Sequence, residues 1–369
     1  MKSVNNLLIE ESIRHQIQLQ KYSNSVVRRM LSVLNRSDAR LRSELLDVLD
    51  KLSPSPGRVD RLESLLGSVR AMNAQAYSQL GENLTTELKD FVNYETAYQT
   101  QLLANLTPVS VSTSLITAEQ VYAAAMARPF QGTLLSQVLK DVELTRAKRI
   151  RQTLAQGFVE GRTTDQIVRD ILGTKKNQYS DGILEVSRRE AQAIVRTSMS
   201  HLAGFVQDSF VEANSDLLKA VQWLSTLDLR TSSVCRIRDH KNYDPKTHRP
   251  IGHSLPWLGG PGRAHWGCRS SQVMVLKSAK ELGLGSPDVT MQNGTRASMD
   301  GQVPKPLTYA EWIKDQSTAR QIEVLGPTRA KLLGDGKLPL ERMYSLKGQF
   351  KTLEELRVSD ADAFKRAGL

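Results

Sequence analysis

Residues 183–213 read ILEVSRREAQAIVRTSMSHLAGFVQDSFVEA, and residues 220–225 read AVQWLS. The change of rhythm between these two stretches decides the fold class. In the first, Ile183 and Leu184 open an apolar face that Ala191, Ile194, Val195, Met199, Leu202 and then Phe205 or Val206 continue at helical spacing, which predicts a long helix with one buried side. Asn214-Ser215-Asp216 ends it. In the second, the alternation around Trp223 predicts a strand. Ser271 to Val275 predicts a returning strand. Between the two lie Pro245, Pro250, Pro256 and Pro261, and three of the four tryptophans fall within 223–266. Such a segment is a small, irregular α+β module held by something other than a large apolar core.

Upstream, the pattern is helical. Val26, Met30, Leu34, Leu41, Leu45 and Leu49 carry an apolar stripe through residues 3–52, with a break expected at Asn35-Arg36-Ser37-Asp38, where Ser37 or Asp38 caps the next helix, and a stop at Ser53-Pro54-Ser55-Pro56-Gly57. Leu62, Leu65, Val69, Met72, Ala76 and Leu80 predict a second long helix over 58–106, which Gly81 divides. Thin apolar stripes on long helices suit packing against each other or against a partner. Thr107 to Ser114 reads as a linker. Thr117 caps a helix up to Arg128, 127–132 breaks the pattern, Leu134 to Phe158 resumes it, and Thr164-Asp165 caps a short helix ending at Leu172. Downstream, the glycines and prolines of 278–306 predict a loop. Thr308 caps 309–317, Pro327 sits in the first turn of a helix over 328–334, and 338–343 and 352–357 are further short pieces. The expectation is a predominantly α-helical α+β fold in three segments: a helical, partner-binding region over 1–115, a core over 116–277, and a loop and short-helix tail over 278–369.

The 369 residues include 40% hydrophobic and 24% charged residues, which excludes a disordered chain. No run of about 18 apolar residues exists, so no membrane span is expected. Glu10 and Glu11 interrupt the first apolar stretch, which is no secretory signal. Two cysteines are too few for a disulfide framework and suit synthesis in a reducing cytosol. The net charge is +11. Residues 1–220 hold 27 basic against 24 acidic groups, and 221–369 hold 23 against 15. The C-terminal part is thus the more suited to a polyanion such as nucleic acid, although simple solubility asks for the same charge.

Both cysteines and most of the histidines fall in the irregular module. Cys235 lies five residues before His240, and Cys268 three after His265. Two thiolates and two imidazoles can make a tetrahedral zinc site, which would offset the weak apolar core. Asp239, His248 or His253 can replace His240 as the fourth ligand. Reduced thiols, or a disulfide between the two cysteines, are the alternatives. Arg196, on the long helix, needs an anionic partner if it is buried. Asp228 is the natural candidate, and with Arg230 the three would form a polar core tying helix to strands; otherwise Arg196 reaches solvent. No phosphate-binding Gly-rich loop and no Gly-x-Ser-x-Gly elbow is present. The histidines could instead serve a metal-dependent nuclease, which needs a metal with an open position and a base.

The order of these pieces resembles a bacteriophage minor head protein of the Mu F type, the head morphogenesis family. The resemblance covers about residues 120–357. It rests on Ala127-Arg128-Pro129-Phe130-Gln131-Gly132, on Gly157 to Gly161 with Thr163 to Val168, and on Val195-Arg196-Thr197. It rests further on Trp223 with Asp228, Arg230-Thr231, Cys235 and His265-x-x-Cys268-Arg269, and on Leu325-Gly326-Pro327-Thr328-Arg329. Similar proteins often carry Asp-Gly where this chain has Asp239-His240, so Cys235, His265 and Cys268 transfer better than His240. The resemblance implies a non-enzymatic virion protein of few copies, made in the bacterial host cytoplasm and placed in the head interior or portal region. Its expected partners are the portal protein or major capsid protein, with packaged double-stranded DNA nearby and bound without sequence preference. Some relatives are thought to travel with the DNA.

Overall fold

The computed structural model describes residues 4–50, 58–106, 113–129, 132–278, 280–282 and 295–369. The expected stop at 53–57, most of the expected linker (107–112), Phe130-Gln131 of the break at 127–132, and 283–294 of the expected loop lie outside the described residues. The fold is predominantly helical α+β. The chain divides into two compact, discontinuous units, one of Gln20–Phe91 and Tyr122–Met199, the other of Met1–Leu19, Val92–Val121 and Ser200–Leu369. The three consecutive segments expected above do not coincide with them.

The first unit is built of helices: α1 (Val4–Asp50) from Gln20 onward, α2 (Arg58–Leu106) up to Phe91, most of α3 (Ala118–Ala127), α4 (Leu135–Val159), α5 (Thr164–Leu172) and the first half of α6 (Ile183–Ala213). Leu41, Leu45, Leu65, Val69, Ile150, Leu154, Ile167, Ile171 and Leu184 form its core. The expected break at Asn35–Asp38 is absent, because Asp38 does not act as a cap. Its carboxylate is buried and takes hydrogen bonds from Arg146 on α4 and Arg188 on α6. Gly81 does not divide α2 either; a Cβ there would touch only Leu139, at 3.9 Å, so the helix simply bears the modest propensity cost of a glycine. Thr163, not Thr164, caps α5. Its Oγ1 accepts from the Gln166 N–H, and the Gln166 side chain accepts from the Thr163 N–H.

In the second unit, β1 (Leu218–Leu224) pairs on one side with β2 (Asn242–Tyr243), itself paired with β3 (Pro250–Ile251), and on the other with β4 (Ser271–Leu276). All pairings are antiparallel, with Val221 opposite both Tyr243 and Met274. Trp223, Val221, Val273 and Tyr243 are buried with Phe210 of α6 and with Leu8 and Leu103 of the N-terminal helices. Fully burying one such large apolar side chain contributes about 2–3 kcal/mol. A second core gathers the C-terminal helices: α8 (Tyr309–Lys314), α9 (Thr318–Leu325), α10 (Pro327–Gly334), α11 (Leu353–Ser359) and α12 (Ala361–Ala367) close over Trp312, Leu332, Met343, Leu356 and Phe364, with Leu227 and Ile237 of the strand module. The expected loop at 278–306 ends in a hairpin, β5 (Thr295–Ser298) with β6 (Gly301–Pro304). Arg296 anchors it, as described below. No helix of the described residues is long and apolar enough to cross a membrane.

Candidate metal centre

Three side chains of the strand module converge. Cys235 sits on a one-turn helix, α7 (Ser233–Arg236), whose start is fixed by Ser232: the Ser232 Oγ accepts from the Cys235 N–H at 3.4 Å. His265 and Cys268 come from the loop that leads into β4. That loop is pressed against α6 at two glycines. A Cβ on Gly204 would lie 2.6 Å from the Pro261 carbonyl oxygen, and one on Gly262 would lie 2.5 Å from the Ser200 carbonyl oxygen. Gly262 also has φ +77, a conformation that other residues adopt with strain.

Cys235 Sγ lies 3.7 Å from Cys268 Sγ and 3.1 Å from His265 Nε2, and the three ligating atoms all fall within 4.8 Å of one another. The sulfurs are not bonded to each other. Both cysteines are buried, at 2% and 0% exposure, and His265 is half-buried. His265 Nδ1 lies 2.9 Å from the Trp266 carbonyl oxygen. A carbonyl only accepts, so Nδ1 carries the proton and the Nε2 lone pair faces the sulfurs. The Gly262 N–H donates to Cys268 Sγ at 3.3 Å. Hydrogen bonding from Cys235, with His265 alongside, holds the Cys268 thiol well below the usual thiol range. Burial, reinforced by the neighbouring Cys268, pushes Cys235 up. Burial disfavours a charged His265, but the Cys268 sulfur outweighs it and raises that imidazole. Two soft sulfurs and one imidazole nitrogen in this arrangement can hold a metal ion.

Asp228 and Arg269 brace the centre. Arg269 Nη2 donates to Asp228 Oδ1 at 2.8 Å, and Nη1 donates to Oδ2. Asp228 also accepts from the Arg230 N–H and the Thr231 hydroxyl. Partial burial would raise the Asp228 pKa, yet Arg269 dominates and lowers it. The Arg269 carbonyl in turn accepts from Gln16 and Thr226. The residue after Cys268 is thus fixed from both ends.

The expected polar core of Arg196, Asp228 and Arg230 is corrected by these contacts. Arg196 is exposed and donates to Asn24 on α1 at 3.2 Å. The guanidinium of Arg230 is exposed, and only its backbone reaches Asp228. Asp228 takes Arg269 instead, because a planar guanidinium 41 residues on meets both carboxylate oxygens at once.

His240 is likewise not a ligand. Its Nε2 accepts from Arg296 Nη1 at 2.8 Å, and burial lowers its pKa. Arg296 also bonds the Asp239 carboxylate and the Leu307 and Ser225 carbonyls, which fixes the His240 side chain away from the cysteines. His248 Nε2 lies 3.1 Å from Asp208 on α6, and its ring stacks on Trp257. His253 lies 2.8 Å from the Asn242 carbonyl and accepts from the Leu255 N–H. Among the described residues, the group placed so that it could hold a metal ion is Cys235, His265 and Cys268. Ser232, whose Oγ lies 2.7 Å from His265 Nε2, was not anticipated; its signal is its place as the N-cap of the turn that carries Cys235. Compared with known proteins, the chain matches no family model, no curated protein and no solved structure.

Proposed function

We propose that the chain is a non-enzymatic minor head protein of a bacteriophage, acting in capsid assembly at or near the portal, with a structural zinc ion held by Cys235, His265 and Cys268. The observation that carries this reading is convergence. Of the residues by which the sequence resembles Mu F-type head morphogenesis proteins, several lie spread along Asp228 to Arg269, yet Asp228 grips Arg269 while Cys235, His265 and Cys268 meet next to them. The tetrahedral zinc distances, about 2.3 Å to sulfur and about 2.0 Å to nitrogen, require a sulfur–sulfur separation of about 3.8 Å and a sulfur–nitrogen one of about 3.5 Å. Here Cys235 Sγ lies 3.7 Å from Cys268 Sγ and 3.1 Å from His265 Nε2, and all three atoms fall within 4.8 Å of one another. Two buried sulfurs, one of which accepts a backbone N–H, suit a staple more than a reactive centre. When bound, zinc would supply folding energy to a module whose sheet has two strands of only two residues.

Three protein ligands leave a fourth position open, which a structural zinc would need filled and a nuclease would use, but the other histidines of the module supply no base for the nuclease reading, since His240, His248 and His253 each serve a different local contact. In the proposed role the partners are the portal or major capsid protein, and the net charge of +11 suits a place beside packaged DNA. Quantitative mass spectrometry of intact and DNA-emptied particles from the source of this gene tests the assignment. Low-copy presence in intact heads is expected. Retention on emptying would mark a fixed portal or capsid partner, and loss would mark a protein that leaves with the genome. Absence from both, or metal-dependent plasmid nicking abolished by His265→Ala, would overturn it.

A further inference from the structure

A second polar cluster in the strand-containing unit, separate from the cysteines, joins the N-terminal helices to β4. Glu95 of α2 is fully buried. Its carboxylate lies 2.7 Å from His15 Nε2 on α1 and accepts from Gln99 at 2.8 Å, with Gln207 of α6 at 3.5 Å. Tyr98 stacks flat on the His15 ring, centroid to centroid 3.6 Å. These bonds use only one nitrogen of the imidazole. His15 Nδ1 has no partner among the described residues, and neither has the side-chain oxygen or nitrogen of Gln272 on β4. Both side chains are more than nine-tenths buried, at 2% and 6% exposure. Leaving such groups unpaired in the interior is unfavourable. Both line the same cavity, together with Ser12, Gln99 and Gln207, and its volume is ≈ 10 Å³. That is about the room one water molecule needs, and three unpaired polar atoms match the two to four partners a buried water takes.

We propose that this cavity is a binding site for a single ordered water, which bridges His15 Nδ1 and the Gln272 amide and so completes a wet joint between α1 and the edge strand β4. The neighbouring contacts of α1 with β4 are also polar. Asn5 exchanges two hydrogen bonds with the backbone of Leu276, and Gln16 donates to the Arg269 carbonyl. The water extends this set into the interior.

The test is a high-resolution crystal structure of the full chain, paired with Gln272→Leu. A peak within hydrogen-bond distance of both His15 Nδ1 and a Gln272 amide atom is expected. A dry cavity, or a Gln272 amide turned onto a protein partner, would overturn the proposal. In solution, Gln272→Leu removes an anchor of the water and leaves His15 Nδ1 alone, so Tm should fall by about 2–4 °C. An unchanged or raised Tm would also overturn it, since that is the result of removing an unsatisfied amide from a dry site.

Discussion

Each unit of the protein buries an arginine–aspartate pair, and the two pairs are satisfied very differently. In the strand-containing unit, Arg296 is 2% exposed and Asp239 4%. Arg296 donates to both Asp239 oxygens, to His240 and to the Ser225 and Leu307 carbonyls, while Asp239 also accepts from the Ser225 and Tyr309 N–H groups. In the helical unit, Arg146 is 1% exposed and Asp38 4%. There Arg146 reaches Asp38 through Nη2 and lies over the Tyr77 ring, but its Nε and Nη1 have no partner among the described residues. Burial is equal, so backbone supply makes the difference. Helices consume their own carbonyls in the i to i−4 ladder, whereas loops and strand ends leave carbonyls free. The strand module uses that surplus repeatedly: the fully buried Arg238 donates to the carbonyls of Val234, Pro256 and Leu346. A small irregular module can thus hold charges that a helical bundle of the same burial holds less well.

The largest effect should come from the centre on which that irregular module is proposed to depend. Cys268→Ala removes a ligand, and is expected to abolish stoichiometric zinc and cost more than about 5 kcal/mol, the scale of metal loss. Zinc analysis and urea unfolding check it. All four tryptophans, at 223, 257, 266 and 312, lie in the strand-containing unit, so their fluorescence follows that unit alone. A variant that unfolds at the wild-type midpoint would mean that the carbonyl-rich clasps suffice without a metal.

The two pairs themselves supply the next test. Arg296→Met strands a buried carboxylate and should cost about 3–5 kcal/mol by tryptophan fluorescence. Arg146→Met leaves Asp38 with Arg188 and removes two unpaired donors, so it should cost only about 1 kcal/mol by far-ultraviolet circular dichroism. Equal losses would refute the argument from carbonyl supply.

What the sequence could and could not show divides along the same line. Caps and apolar rhythm act over three or four residues, so α6, the Thr308 cap and the Pro327 start of α10 were legible. Strands β1 and β4 were legible from alternation. Cys235, His265 and Cys268 stood out because few residues of those types occur. The Arg296 clasp was not legible, because it joins positions 57 residues apart with nothing local to mark it, and the hairpin that carries it read as loop. The same long-range pairing displaced His240 from the ligand set and gave Asp228 to Arg269. Asp38 misled for a related reason: a residue type that caps helices was instead a buried acceptor in mid-helix.

A smaller effect tests whether the strand-containing unit also holds an acid in place with partners from several elements. Asp208 on α6 accepts from Arg263 at 2.7 Å, with His248 at 3.1 Å. Burial works to raise its pKa, but these two groups prevail and hold it below the usual carboxylate range. A depressed folded-state pKa gives stability that is complete above the unfolded value near pH 4 and lost as pH falls through the folded one. Asp208→Asn should therefore cost about 1–2 kcal/mol at pH 7 and little at pH 3. A stability gap that does not narrow in acid would show that packing against Trp257, not charge, holds His248.

The smallest effect belongs to the helical unit, at a polar cap made between near neighbours. At the start of α5, Thr163 and Gln166 satisfy each other's backbone N–H groups at 3.3 and 2.8 Å. Both bonds are exposed, so water can replace them. Thr163→Ala is expected to cost about 1 kcal/mol, and Thr163→Ser to restore most of it. The remaining stability of α5 comes from Ile167 and Ile171 in the core, with Ile167 seated so closely on Gly157 that a Cβ there would lie 2.5 Å from it. If packing dominates in this way, the capped and uncapped proteins should unfold with the same cooperativity and differ only in midpoint. A loss well above 2 kcal/mol, or a separate early loss of helical signal, would mean that the cap nucleates α5 and that the helical unit too depends on a few decisive polar contacts.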